Sequence, residues 1–247
     1  MDMARDRDFD VVLFGATGFT GRIVAQYLDR VGAKQTPPLR WAVAGRSEPK
    51  LRQMATELSS APEVLVATTT SQEQVDRVVS RARVLISTAG PFASYGTPVV
   101  DACVRLGCDY VDINGEVGWH RTMIDRYDAQ ACANGVRLVP SCGFDSVPSD
   151  LGVQWMAGLV TAACGAPARR ITSYVAVRGS FSGGTVASGI LSDETHGEPA
   201  PFLLGGAPAG GARKEDTDCT EAEVKPRALE LRTNTLAPFA HPQPLAT

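Results

Sequence analysis

Apolar positions along this chain follow two rhythms that take turns. Short apolar runs at Val11-Val-Leu-Phe14, Leu39 to Ala44, Glu63 to Ala67, Val84-Leu-Ile86, Tyr110-Val-Asp-Ile113 and Val136-Arg-Leu-Val139 read as strands. A strand covered on both faces needs apolar side chains at successive positions, which is what most of these runs supply. Between them the period lengthens to that of a helix. Arg22 to Arg30 is amphipathic, and Leu51, Met54, Ala55 and Leu58 share one face after Ser47 and Pro49. Val75, Val78, Val79 and Ala82 do the same after Ser71, which stands at capping-box distance from Gln74. Thr97 and Pro98 open a further helix that ends at Gly107, and a long one runs from about Trp119 to Asn134 before Gly135.

Strand and helix alternate in this way through six units. Strands joined by helical crossovers lie parallel, and the crossovers are right-handed, so helices come to cover both faces of one sheet. The expected fold class is α/β, a Rossmann-like doubly wound parallel sheet of order 3-2-1-4-5-6 built from residues 8–160. All C-terminal strand ends then meet at one crevice. Its loops are Gly15 to Gly21, Gly45 to Ser47, Thr88 to Gly96, Asp112 to Glu116 and Ser141 to Asp150.

Beyond Arg170 the pattern changes. Ile171 to Val177 alternates like a half-exposed strand, and Gly179 to Thr185 leads into a helix at Val186 to Leu191. Residues 170–191 read as the beginning of an incomplete α+β second domain. Over 192–247, Pro199, Pro201, Gly205, Gly206, Pro208, Gly210 and Gly211 crowd in without a sustained apolar period, so a low-order tail is expected there. Ala222 to Leu231 has the length of a lone helix but contains Pro226.

The first strand-to-helix turn carries the clearest chemistry. Gly15-Ala-Thr-Gly18-Phe-Thr-Gly21 joins an apolar strand to an amphipathic helix. Such a turn presents backbone N–H groups and the positive end of a helix to a phosphate. The glycines let the backbone approach closely, and the hydroxyls of Thr17 and Thr20 can donate to a pyrophosphate. A dinucleotide is the expected ligand, with Gly15, Thr17, Gly18, Phe19, Thr20 and Gly21 as its phosphate cradle.

The end of the second strand selects which dinucleotide. An NAD site places an acidic residue there for the ribose hydroxyls. This chain has Gly45-Arg46-Ser47 instead. A guanidinium beside a hydroxyl would hold a 2′-phosphate by charge-assisted bonds. NADP(H) is therefore the expected cofactor, with Arg46 and Ser47 at its 2′-phosphate. Gly90 and Pro91, in the loop after the fourth strand, are expected near the nicotinamide ribose.

Composition narrows the remaining classes. The 247 residues carry a formal net charge of -3 with acids and bases scattered, which leaves no basic field for nucleic acid. His120, His196 and His241 lie far apart, and the six cysteines form no CxxC pair, so no metal site is expected. Reduced, buried thiols are the default reading for those cysteines. Met1 to Asp10 lacks the apolar core of a secretory signal, and no apolar run is long enough to span a bilayer. The expected location is cytoplasmic, with peripheral contact to a membrane or lipid surface and a homodimer as open alternatives.

Candidate catalytic groups are fewer. Tyr95 could donate to a substrate carbonyl as hydride reaches a neighbouring carbon. Asp145 is a candidate for catalysis or substrate orientation and reads equally, with Ser146 and Asp150, as a cap for a helix that Pro148 helps to start. Asp112 and Glu116 bracket Asn114-Gly115, either as carboxylates facing the crevice or as turn and cap residues. Cys142 has no histidine near it in sequence and reads as a small packed thiol. No Tyr-x-x-x-Lys pair of the short-chain dehydrogenase type is present.

Taken together, the ordered motifs resemble the saccharopine dehydrogenase-like oxidoreductases, in the branch that includes the trans-acting enoyl reductases. The matching residues are Val12 to Gly21, Trp41 to Ser47, Gly90-Pro-Phe92 with Tyr95-Gly96, Tyr110-Val-Asp112 with Gly115-Glu116, Cys142 to Ser146 with Pro148 to Gly152, and Ser182 to Thr185, covering about residues 8 to 190. The resemblance implies an NADP-type Rossmann domain followed by an α+β domain that helps to form the substrate site. It further implies reduction of a carbon–carbon double bond on a small-molecule or carrier-bound lipid substrate of polyketide and glycolipid synthesis. A non-catalytic NADP-binding protein on lipid surfaces is the competing class. An amino-acid dehydrogenase acting on an imine ranks lower, because no cationic clamp for its carboxylates can be placed. Two departures stand out: the third strand ends Val66-Ala-Thr68 where relatives often have Asp, and the pattern stops near Leu191 where relatives continue. A truncated or frame-shifted chain would keep cofactor residues while losing part of the substrate domain and, with it, activity.

Overall fold

The computed structural model of the chain describes residues 7–168, 170–174 and 183–195. Six strands form its sheet: β1 (Phe9–Phe14), β2 (Trp41–Gly45), β3 (Glu63–Val66), β4 (Ala82–Ser87), β5 (Asp109–Asp112) and β6 (Leu138–Val139). Their order is β3-β2-β1-β4-β5-β6. Every neighbouring pair is parallel. This is the doubly wound arrangement expected from the alternation of strand and helix.

Helices α1 (Phe19–Gly32) and α2 (Glu48–Thr56) connect the first three strands, and α3 (Gln72–Val79) leads into β4. A short α4 (Phe92–Tyr95), then α5 (Thr97–Leu106), α6 (Val117–Asn134), α7 (Val147–Cys164) and α8 (Gly183–Thr195) follow. Successive β1 residues divide between the two faces, as strand geometry requires. Val12 and Phe14 join Leu85, Val100, Tyr110 and Met123 on the face that packs α3, α5 and α6. Leu13 joins Val43, Leu51 and Met54 on the other, under α1 and α2. Truncating a fully buried leucine such as Leu13 to alanine costs about 2–5 kcal/mol.

Local signals place most boundaries within a few residues of the sequence reading. Gly107 (φ 73°) closes α5 and Gly135 (φ 63°) closes α6, both in the left-handed region that glycine enters without a Cβ penalty. Ser71 Oγ accepts the Gln74 N–H at 3.4 Å, as a capping box requires. The return half of the box is missing. Gln74 Oε1 instead accepts the Thr68 N–H at 3.1 Å and ties the end of β3 to α3.

Two corrections concern the later chain. Residues 171–174 form no strand, so the half-exposed strand begun at Ile171 is not seen there, and its remainder at 175–177 lies outside the described residues. The loop at Gly179 is likewise outside, as are the tail beyond 195 and the helix proposed for Ala222 to Leu231. The helix expected at Val186 to Leu191 is present and longer, as α8. Helices α6 and α7 have the same length, 18 residues, yet α6 buries Met123, Tyr127 and Ala131 while α7 buries none. No helix of the described residues is long and apolar enough to cross a membrane.

Candidate cofactor site

The turn after β1 is shaped by backbone contacts that exclude side chains. Gly15 has φ +84°, and a Cβ there would lie 2.8 Å from the Ala89 nitrogen. A Cβ on Gly21 would lie 2.3 Å from the Gly15 carbonyl oxygen and 2.8 Å from that of Ala16. Glycine is therefore required at both ends of the turn by its own folding. The Gly15 and Ala16 N–H groups are used by the Ala44 carbonyl on β2, and the Gly18 N–H returns to Gly15. Those of Thr17, Phe19 and Thr20 find no acceptor among the described residues. Neither do the hydroxyls of Thr17 and Thr20 have partners there. The result is a ring of donors at the positive end of α1, aimed at a place that holds no protein acceptor.

Arg46 follows β2 at the same edge of the sheet. Its side chain is exposed and makes no ion pair or hydrogen bond with the described residues. The nearest acid in sequence, Glu48, is turned to Arg52 at 2.7 Å and leaves the guanidinium uncancelled. Ser47 caps α2 by position, but its hydroxyl makes no cap bond. Gly45 is buried, and a Cβ added to it would meet nothing closer than Leu51 at 3.9 Å. The fold itself does not need glycine at 45. These features fit a 2′-phosphorylated dinucleotide: a cradle that a Cβ would fill, open donors, and a fixed positive charge that is unpaired among the described residues.

The loops after β4 and β5 are built in the opposite manner. Thr88 Oγ1 donates toward the Phe14 and Gly15 carbonyls, at 3.1 Å to each, which bolts the β4 loop to the glycine turn. Gly90 and Pro91 lead into α4, and Tyr95 at its end is 41% exposed, its N–H donating to the Pro91 carbonyl while its hydroxyl makes no hydrogen bond among the described residues. Asp112 and Glu116 were the alternatives of crevice carboxylate or turn builder. The structure decides for the turn: they are 1% and 5% exposed. Asp112 accepts the Tyr110 hydroxyl at 2.8 Å and the N–H groups of Asn114 and Ser141 at 2.9 and 2.8 Å. Burial raises its carboxyl above the ordinary value, opposed by the bonds from Asn114 and Ser141.

Glu116 accepts the Phe92 and Ala93 N–H groups, both at 2.7 Å, across a gap that sequence reasoning had no means of closing. Asp145 is exposed and lies over Gly115 and Gly143, where a Cβ on Gly143 would meet its Oδ1 at 2.8 Å. It makes a 3.5 Å contact with the Ser146 hydroxyl, and no side chain caps the start of α7. Cys142 is exposed rather than packed, with Sγ donating to the Val139 carbonyl at 3.2 Å. Burial of the sulfur and then the Asp112 carboxylate push its thiol up, which opposes a nucleophilic thiolate. Of the five described cysteines only Cys103 and Cys108 are buried, so the expectation of buried thiols holds for those two alone. No group of three or more metal-ligating side chains occurs among the described residues.

The saccharopine dehydrogenase NADP binding domain matches residues 11–139, just over half of the chain. The chain belongs to this family. The match spans the glycine turn, Arg46 and the β4 and β5 loops, so the family's cofactor, NADP(H), is that of this domain. A trans-acting enoyl reductase of Mycobacterium leprae is 42% identical over 150 residues, covering 60% of this chain and 35% of that protein. A Mycobacterium tuberculosis protein that bears the same name in provisional form is 39% identical over 227 residues, covering 86% of this chain and 52% of that protein. The chain thus spans about half or less of the length of these relatives. Among solved structures, the apo saccharopine dehydrogenase (L-Glu forming) of Saccharomyces cerevisiae superposes with a TM-score of 0.51 at 20% identity, over 63% of this chain and 32% of that one. That likeness is one of fold.

Proposed function

We propose that this chain holds NADPH with the pyrophosphate on the Gly15 to Gly21 turn and the 2′-phosphate on Arg46 and Ser47, for reduction of an enoyl double bond in lipid synthesis. The observation that carries the reading is the Arg46 guanidinium, unpaired among the described residues, on the same sheet edge as a ring of N–H donors open among them. The names of the mycobacterial relatives support an enoyl substrate, which this reading takes to be a thioester on a small molecule or a carrier.

NADPH, when bound, would supply a hydride, two electrons with one proton, for the β-carbon of the thioester. The chain's part is to place and polarise. Tyr95, exposed and with its hydroxyl unpartnered among the described residues, donates that hydroxyl to the thioester carbonyl as negative charge gathers on its oxygen. A proton from solvent completes the α-carbon. Asp145, over Gly115 and Gly143 at the ends of the β5 and β6 loops, orients the substrate's polar end. Gly90 and Pro91 would border the nicotinamide ribose.

Titration with NADPH followed by addition of an enoyl-CoA tests both halves. Tight NADPH binding and loss of its absorbance on adding the thioester support the reading. Binding without turnover on enoyl-CoA and on carrier-bound enoyl substrates rejects the reductase and leaves a cofactor-binding protein.

A further inference from the structure

Glu116 joins three segments that are distant in sequence. Its Oε1 accepts the Phe92 N–H and the Ser188 hydroxyl, each at 2.7 Å, and its Oε2 accepts the Ala93 N–H at 2.7 Å. The Glu116 N–H in turn donates to Asn114 Oδ1. Phe92 and Ala93 begin α4, the turn that carries Tyr95 and follows Gly90-Pro91, and Ser188 belongs to α8. The same loop is gripped a second time. Trp119, one turn along α6, stacks near Phe92 with ring centres 5.8 Å apart and donates its indole N–H to Thr97 Oγ1 at 3.0 Å. Its ring also occupies the space where a Cβ on Gly96 would stand, at 2.6 Å.

A buried carboxylate held by neutral donors is an expensive way to stabilise a fold, since apolar residues of similar volume do as well. No cation pairs with Glu116 among the described residues. What the carboxylate uniquely provides is two acceptor oxygens for two adjacent N–H groups and one further lone pair for a hydroxyl. We propose that Glu116 is a positioning residue: it sets the loop from Gly90 to Tyr95 for the nicotinamide half of the cofactor, and through Ser188 it makes that setting depend on the docking of α8. The proposal rests on the NADP assignment and adds to it a link between the cofactor loop and the later chain. The amide of a Glu116→Gln variant must point a donor at a donor, at Phe92, Ala93 or Ser188. Ser188→Ala removes the hydroxyl and leaves both backbone bonds.

The test is equilibrium titration of the full 247-residue chain with two probes, NADPH and adenosine 2′,5′-bisphosphate, the second of which lacks the nicotinamide half. Losing a hydrogen bond to a charged group corresponds to about a tenfold change in affinity. Glu116→Gln is expected to weaken NADPH by about tenfold or more while the bisphosphate stays within about twofold, and Ser188→Ala to weaken NADPH by about threefold with the bisphosphate unchanged. Parallel loss of both probes in Glu116→Gln is the mark of a general structural role and overturns the proposal. So does unchanged NADPH binding in that variant. If Glu116→Gln fails to fold, Ser188→Ala decides alone: no selective loss of NADPH overturns the link. A wild-type chain that binds neither probe overturns the cofactor assignment, and the proposal with it.

Discussion

The glycine turn after β1 and the loops after β4 and β5 share one edge of the sheet and are constructed on opposite principles. In the turn, the backbone's shape is fixed by excluded volume while the N–H groups of Thr17, Phe19 and Thr20 and the nearby Arg46 have no partner among the described residues. In the β4 and β5 loops, carboxylates and hydroxyls of the chain itself satisfy the backbone, and Asp112 and Glu116 are spent inside the protein. The difference separates two jobs. Groups left open are those a ligand must complete, and groups closed by the chain are those that must be in place before the ligand arrives.

Alanine at Gly21 strikes the turn hardest. The new Cβ meets a backbone oxygen at 2.3 Å, which no rotamer change relieves. Overpacking against main chain costs about 3 kcal/mol or more, so calorimetry is expected to find no NADPH binding and thermal unfolding a clearly lowered midpoint. A variant with wild-type affinity would show that the turn is not the phosphate cradle.

The closed loops respond to pH instead. Burial holds the Asp112 carboxyl above the ordinary 3.8, so ionising it costs more in the folded state than in the unfolded chain. Its contribution to stability is therefore fully present below pH 3.8 and is lost as pH rises through the raised value. Asparagine can accept the Asn114 and Ser141 N–H groups through its oxygen and donate to Tyr110, without ionising. The stability of Asp112→Asn relative to wild type should climb with pH above 3.8 and then level off, measured by denaturant unfolding across that range. A pH-independent difference would show that Asp112 does not ionise at a cost.

The smallest effect distinguishes room kept for the ligand from room needed by the fold. Gly45 has no neighbour that a Cβ would crowd. Glycine within a strand is about 0.5–1 kcal/mol worse than alanine, so Gly45→Ala is expected to raise the unfolding midpoint slightly while weakening NADPH. Weaker folding together with unchanged affinity would reverse that assignment.

Legibility in the sequence follows the same division. The turn could be read because its constraint is local: strand, glycines and helix stand within a few residues, and Arg46 ends the next strand. The sheet order could be read because parallel crossovers allow few alternatives. The role of Glu116 could not, since its partners stand 24 and 72 positions away and only the fold brings them together. The Thr88 bolt to Phe14 and Gly15 escaped for the same reason, across 74 and 73 positions. At Ile171 the alternating pattern misled, because period alone cannot supply the pairing partner a strand needs.

The central claim is that Arg46 reads a 2′-phosphate beside a backbone cradle. Calorimetric titration of the wild-type chain and of Arg46→Asp with NADPH and NADH tests it most directly. The account predicts NADPH preference in the wild type, about 1.5–3 kcal/mol from a charged hydrogen bond, and its loss in the variant with folding stability unchanged. Equal affinity for the two coenzymes in the wild type, or a preference that survives in Arg46→Asp, would contradict it.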